Sequence, residues 1–255
     1  MKRTLIYLFA LLATVTLFTA CGGGDEPESK QTFTATVNNR AVDGEDFVFS
    51  QGSAQIELNY TNMTMHLTTD YKDIHGQSHT LNTGEMKLTG KSVAVYAFTS
   101  MNATGYIDLS TGMLYCVIET GDGYNVYCTT QLVWPYVTTT ITGEDGRTYS
   151  HEQSGYIIAI DSKGENAVMQ ITDYVADAGG AVQEAVLQYT GLAVTPTATG
   201  YVITADEAEC TQTSYYNLSD LKINITGNGM MIDGSFKIKN NTYSMAGNLF
   251  GDIAQ

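Results

Sequence analysis

Residues Ala54-Gln55-Ile56-Glu57-Leu58-Asn59-Tyr60 send Ala, Ile, Leu and Tyr to one side of an extended chain and Gln, Glu and Asn to the other. Met63, Met65 and Leu67 then do the same opposite Thr64, His66 and Thr68. A period of two lays every apolar side chain on one face of a strand, and that face needs other strands to cover it. Gly155–Ile160 and Asp233–Ile238 continue the pattern, and clusters of Gly, Asn and Asp punctuate it. Segments with helical periodicity are almost wanting, while Thr, Tyr, Val and Ile abound. With only three prolines and 15% charged residues, the chain is too apolar to stay disordered. The expectation is an all-β protein of half-buried antiparallel strands.

The pattern comes twice. Met65-His66-Leu67-Thr68-Thr69-Asp70-Tyr71 is echoed by Met169-Gln170-Ile171-Thr172-Asp173-Tyr174, one residue shorter. Lys87-Leu88-Thr89-Gly90 is echoed by Gln188-Tyr189-Thr190-Gly191, and Tyr106–Met113 by Leu221–Asn228. Each half then runs through one hairpin to an apolar end, Leu132-Val133-Trp134 or Leu249-Phe250. The spacing between echoes grows along the chain, which places an insertion near Thr195–Tyr216. A period of about 100 residues is too long for a solenoid and suits one small β-domain. Each half offers about eight strands, enough for a closed barrel or a two-sheet sandwich, and periodicity does not separate the two. Pro135 cannot donate within a central strand, so Trp134-Pro135-Tyr136 reads as the junction. The expected domains are residues 32–135 and 136–255, related by internal duplication.

The first residues are of another kind. Met1-Lys2-Arg3 precedes an apolar run from Leu5 to Phe18, which closes on Thr19-Ala20-Cys21-Gly22. A basic start, an apolar core and small residues before the cut make a bacterial export signal, too short for a spanning helix of ~20 residues. The cysteine behind it makes the segment resemble the lipobox of bacterial lipoproteins. That resemblance implies removal of residues 1–20 and acylation of Cys21 as the mature N-terminus. Residues 22–31 contain nothing that can pack and read, with Cys21, as a flexible tether over 21–31. The acidic tract Asp25-Glu26 just beyond Cys21 resembles the surface-export signal of Bacteroidetes lipoproteins. The repeat unit, a meander of strands ending in a hairpin with a Gly-rich or Asn-rich tip, resembles the calycin-like or lipocalin-like domains of such lipoproteins. The implied location is the outer membrane, held by lipid and facing the periplasm or the cell surface.

Twelve basic against 27 acidic residues argue against nucleic acid and against electrostatic adhesion to an anionic leaflet. Anchoring is therefore left to acyl chains, of which two or more suffice.

Four motifs invite chemistry. Cys116 and Cys128 flank Gly121-Asp122-Gly123, a three-residue hairpin loop that would set Thr120 opposite Tyr124 and Cys116 opposite Cys128. Directly paired residues lie within disulfide range, and an exported protein favours oxidation, so a bridge is expected over two buried thiols. Cys210 is left over as a buried thiol. Asp73, His75 and His79 could ligate zinc or copper, but the two histidines share a face only in a helix, and a solvated turn is the favoured reading. Gly76-Gln77-Ser78-His79-Thr80 starts like a nucleophile elbow without its last glycine or its strand-to-helix turn. Gly143–Gly146 and Asp161–Glu165 lack the order of a calcium loop and read as ordinary turns.

The expected protein is a lipid-anchored binding or adhesion protein with no catalytic activity, no cofactor and no metal. Its partner would be a small apolar molecule, a glycan or an envelope protein. The other reading is a structural subunit of an outer-membrane or surface complex without a small ligand. Cys21→Ser should abolish acylation and release the protein from membranes or leave it uncleaved; palmitate labelling and membrane fractionation check this.

Overall fold

The computed structural model describes residues 30–91, 94–176 and 182–249. The export signal, Cys21 and the tether up to residue 29 lie outside the described residues. The first half forms β1 (Lys30–Asp43), β2 (Asp46–Asn59), β3 (Thr64–Lys72), β4 (Ser78–Gly90), β5 (Val95–Thr99), β6 (Ala103–Asp108), β7 (Met113–Glu119) and β8 (Asn125–Thr129). The second forms β9 (Leu132–Thr142), β10 (Thr148–Ile160), β11 (Asn166–Ala176), β12 (Val182–Thr197), β13 (Gly200–Ala208), β14 (Leu218–Thr226), β15 (Met231–Ile238) and β16 (Asn241–Asn248).

Each half is a closed barrel, which decides between barrel and sandwich. Neighbouring strands pair antiparallel in sequence order, and the last strand returns to the first: β8 pairs with β1 at Val126↔Ala41, and β16 with β9 at Tyr243↔Ile141. Closure leaves neither ring with an open sheet edge. Lys30 and Gln31 already pair with Asn59 and Leu58, so β1 takes in the last two residues of the expected tether.

The two compact units meet in sequence between Gln131 and Leu132, four residues ahead of the expected boundary. Trp134-Pro135-Tyr136 is not a junction but part of β9. Val137 pairs with Ser154 and Trp134 with Tyr156, so the register shifts across Pro135. Pairing of β9 with β16 also stops at Val137. A bulge asks no ladder hydrogen bond of the imino nitrogen, which is why a proline sits inside this strand.

The duplication holds strand for strand. The echoed segments lie in β3 and β11, β4 and β12, and β6 and β14, and each ring closes through its last hairpin. It does not hold residue for residue. Met65 faces Met86, while Met169 faces Tyr189, so Tyr189 stands in the place of Met86 and not of its echo Leu88. The insertion is the connection between β13 and β14, which carries a short 3₁₀ turn at Ser214–Tyr216 where Ser100-Met101-Asn102 suffices in the first half.

The inward faces are packed with side chains. Ile56, Leu58, Met65, Leu67, Met86 and Ile107 are fully buried in the first barrel, each contributing about 1.5–3 kcal/mol of transfer free energy. Gly105 makes room there: a Cβ would overlap the Tyr115 carbonyl oxygen and stand 2.7 Å from the Phe98 ring. In the second barrel Tyr156, Ile158, Met169, Tyr189 and Ile223 play the same part.

Because each ring closes on itself around its own core, fragments 30–131 and 132–249 should each unfold in a single cooperative transition. Urea titration followed by near-UV circular dichroism checks this; two molten fragments would contradict it.

Candidate functional site: the polar end of each barrel

In a meander, alternate connections share an end. The β1–β2, β3–β4, β5–β6 and β7–β8 connections crown one end of the first barrel, and their counterparts from β9–β10 onward crown the matching end of the second. Polar side chains gather inside both barrels at this end.

The β7–β8 tip is the hairpin that the cysteine spacing implies. Thr120 N–H donates to the Tyr124 carbonyl at 2.9 Å, Gly123 N–H donates to the Thr120 carbonyl at 3.1 Å, and Gly123 has φ +88°. Cys116 pairs with Cys128 in the expected register. The disulfide, however, is not formed: both cysteines, like Cys210, are free and buried thiols. Parity from the Thr120–Tyr124 pair makes theirs a hydrogen-bonded pair, with side chains farther apart than in the alternate kind. Burial pushes the Cys128 thiol up to about 12 against the lowering Thr69 hydroxyl, and burial likewise raises Cys116. A thiol held protonated is a poor nucleophile for disulfide exchange. Cys210 lies in the second unit, where its thiol donates to Gln212 Oε1 at 3.2 Å.

The β3–β4 turn brings together two of its three candidate ligands. Asp73 Oδ2 lies 2.8 Å from His79 Nε2, and Asp73 Oδ1 accepts from the backbone N–H of Gln77 at 2.8 Å and of His75 at 2.9 Å. His75 thus joins through its backbone, with its ring exposed. Among the described residues no three His, Cys, Asp or Glu side chains group as a metal site. The carboxylate is occupied in shaping its own turn. Burial opposes ionisation of Asp73, yet the Gln77 N–H, the His79 ring and the His75 N–H outweigh it and lower the pKa. Asp161 does the same for the β10–β11 turn: Asn166 and the N–H groups of Glu165 and Lys163 outweigh its desolvation. Beneath Asp73, the Tyr71 and Tyr124 hydroxyls meet at 3.2 Å.

The second barrel holds a cluster that the motif reading missed. Asp173 is buried inside the ring, with Oδ2 accepting from Ser154 Oγ at 2.7 Å and Oδ1 lying 3.0 Å from His151 Nδ1. The clue was the one-residue shortening of the second echo. Counting inward positions from Met65 and Met169, Asp173 stands where the first barrel has Thr69. Asp70, its sequence echo, faces outward and takes a hydrogen bond from Thr80 Oγ1 at 2.6 Å. A one-residue slip turns a side chain from one face of a sheet to the other, here from solvent to core.

The equivalence extends around the ring. Val48–Ala41–Val126–Ile118 form an inward row across β2, β1, β8 and β7. Below it lies Ser50–Asn39–Cys128–Cys116, whose counterpart across β10, β9, β16 and β15 is Tyr149–Ile141–Tyr243–Phe236. Tyr243 stacks on Phe236 with ring centroids 5.0 Å apart and planes 6° from parallel. The next row down is Gly52–Val37 in β2 and β1 of the first barrel and His151–Thr139–Met245–Gly234 in the second. Burial and then the Asp173 charge push the Tyr243 phenol up to about 12. Tyr156 is also raised, by burial first, with the Thr139 hydroxyl acting against it and Asp173 adding to it.

Ser, His and Asp are all present, yet their order is not that of a nucleophilic triad. Ser154 Oγ donates to the carboxylate and lies 3.4 Å from His151 Nδ1, the nitrogen that faces Asp173. In a triad the serine meets the other ring nitrogen.

No family model matches the chain, and no curated protein matches it. Among solved structures it is similar to a porin-like protein from Bacteroides uniformis, at 11% identity and a TM-score of 0.19, over 87% of this chain and 98% of that one. So loose a superposition has no bearing on function.

The lowered pKa of Asp73 means that its contribution to stability is whole above the ordinary carboxyl range near pH 4 and is lost as pH falls through the folded pKa. Asp73→Asn should therefore lower the melting temperature at neutral pH, and its gap to the parent protein should narrow in acid; thermal melts across that range check this.

Proposed function

We propose that the protein is a lipid-anchored, non-enzymatic binding protein of a Gram-negative outer membrane, tethered through Cys21, with its ligand seat at the polar end of the second barrel. Duplication supplies the main support. Two rings of the same architecture differ where a seat would be, since the first fills that end with Ser50, Asn39, Cys128 and Thr69 and the second with Tyr149, Ile141, Tyr243 and Asp173. The observation that carries the reading is Asp173. Burying a carboxylate costs several kcal/mol before its partners offset it, and the equivalent ring is built with a neutral threonine. A charge that the fold does not need points to a role outside folding.

The hydrogen-bond order at Ser154 speaks against nucleophilic catalysis, because its hydroxyl donates to the carboxylate of Asp173. An acidic chain on lipid tethers suits a capture protein better than a contact with anionic lipid or nucleic acid.

The test is to extract the intact protein from outer membranes in mild detergent and identify what accompanies it by untargeted mass spectrometry. A small molecule that travels with the parent protein and is depleted from Asp173→Thr is the expected result. Recovery of a stoichiometric protein partner with no such molecule would replace this reading with that of a structural subunit.

A further inference from the structure

We infer that the seat at the polar end of the second barrel takes a protonated amine, an ammonium group held among tyrosine rings and facing the His151–Asp173 pair. This rests on the reading of that end as a ligand seat and names the class of ligand it would hold.

The walls are aromatic where they meet solvent. Tyr149 shares the inward parity of His151, two residues on, but lies at the rim and is 58% exposed. Tyr243 follows it across Ile141. Below the rim, the inward-facing Ile141, His151, Ala185 and Ala205 all keep partial exposure, and Ala185 lies directly opposite Asp173. Ala185, opposite the buried carboxylate, takes up little of the space beside it. A ring of phenol faces attracts cations through the quadrupole of each ring, with the largest effect where water is excluded.

The floor carries the complementary charge. The carboxylate sits 3.0 Å from His151 Nδ1. Of the two, the imidazole is the part nearer to solvent, 16% exposed in its side chain against 3% for Asp173. An ammonium satisfies both features at once, whereas a carboxylate or phosphate ligand would meet a like charge. The field of the whole chain, at a formal −15, draws cations in the same direction.

An independent contact at the same end shows the chemistry at work. Lys239, in the β15–β16 turn, places its ammonium 3.0 Å from the centroid of the Tyr215 ring. Tyr215 belongs to the β13–β14 insertion, packs edge-on against Tyr216, and acts with it on Tyr243. The chain thus already seats one ammonium on a tyrosine at this rim. The segment that provides that tyrosine is the insertion the first barrel lacks.

The experiment is calorimetric titration of the full-length protein in detergent, at about pH 8 so that ordinary imidazoles are neutral. The probes are phenethylammonium, 2-phenylethanol, 3-phenylpropionate and methyl glucoside. Phenethylammonium should bind at least about tenfold more tightly than the alcohol of the same shape, and the carboxylate more weakly than either. Asp173→Thr, which installs the residue the first barrel tolerates, should abolish the preference for the amine. Tyr149→Ala, at an exposed position that does not endanger the fold, should weaken the amine and the alcohol alike. Equal binding of amine and alcohol, or an amine preference unchanged in Asp173→Thr, would overturn the inference. Binding of methyl glucoside without the amine would also overturn it and leave the seat standing; failure of every probe, with no small molecule recovered from membranes, would remove both.

Discussion

Closure of the hydrogen-bonded ring is the constraint on which the rest depends. Strand β8 must return to β1, and β16 to β9, or each sheet would be left with two rows of unpaired backbone groups. Closing the ring also creates an inside, and it fixes which of two alternating faces belongs there. Every property discussed above, from the packed methionines and leucines to the isolation of Asp173 from water, is a consequence of a residue lying on the inward side of a closed sheet. The bulge at Pro135 and the contact glycine at Gly105 are local concessions that let the ring close without breaking the ladder or colliding with the core.

Duplication turns the first barrel into an internal control for the second. Positions that hold Ser50, Asn39 and Cys128 in one ring hold Tyr149, Ile141 and Tyr243 in the other, and Thr69 becomes Asp173. Both sets are compatible with a closed eight-stranded ring, so the architecture does not dictate the difference. The cysteine pair makes the same point: Cys116 and Cys128 have Phe236 and Tyr243 as counterparts. The core is filled at that level by two thiols in one ring and by two stacked aromatic rings in the other.

Several features were open to reading along the chain because they are local. Alternation over Ala54–Tyr60 reports directly on a strand with one buried face. The Gly121-Asp122-Gly123 spacing sets the partner of every residue in its hairpin, and the Cys116–Cys128 register came out as expected. The boundary that Pro135 suggests lies four residues past the observed one, because a missing donor need not end a strand when a bulge absorbs it. The segment Asp73–His79 forms the turn expected of it, and its carboxylate binds its own backbone. The bridge between the cysteines depended on what surrounds the sulfurs, and a fully buried hydrogen-bonded pair keeps them as thiols.

By itself the sequence determined an all-β chain, two related halves of about eight strands each, and the residues that form each turn, because these follow from period-two patterning and from turn chemistry between neighbours. Only the tertiary structure decided that each half closes as a barrel and which strand meets β1 and β9, since pairing between distant ends leaves no mark on either segment alone. It alone decided the fate of the two echoed aspartates. Asp70 and Asp173 occupy matching places in matching sequences, yet one missing residue turns the first to solvent and the second into the core. Side is a property of register, and register is set only when strands far apart in the chain are brought together.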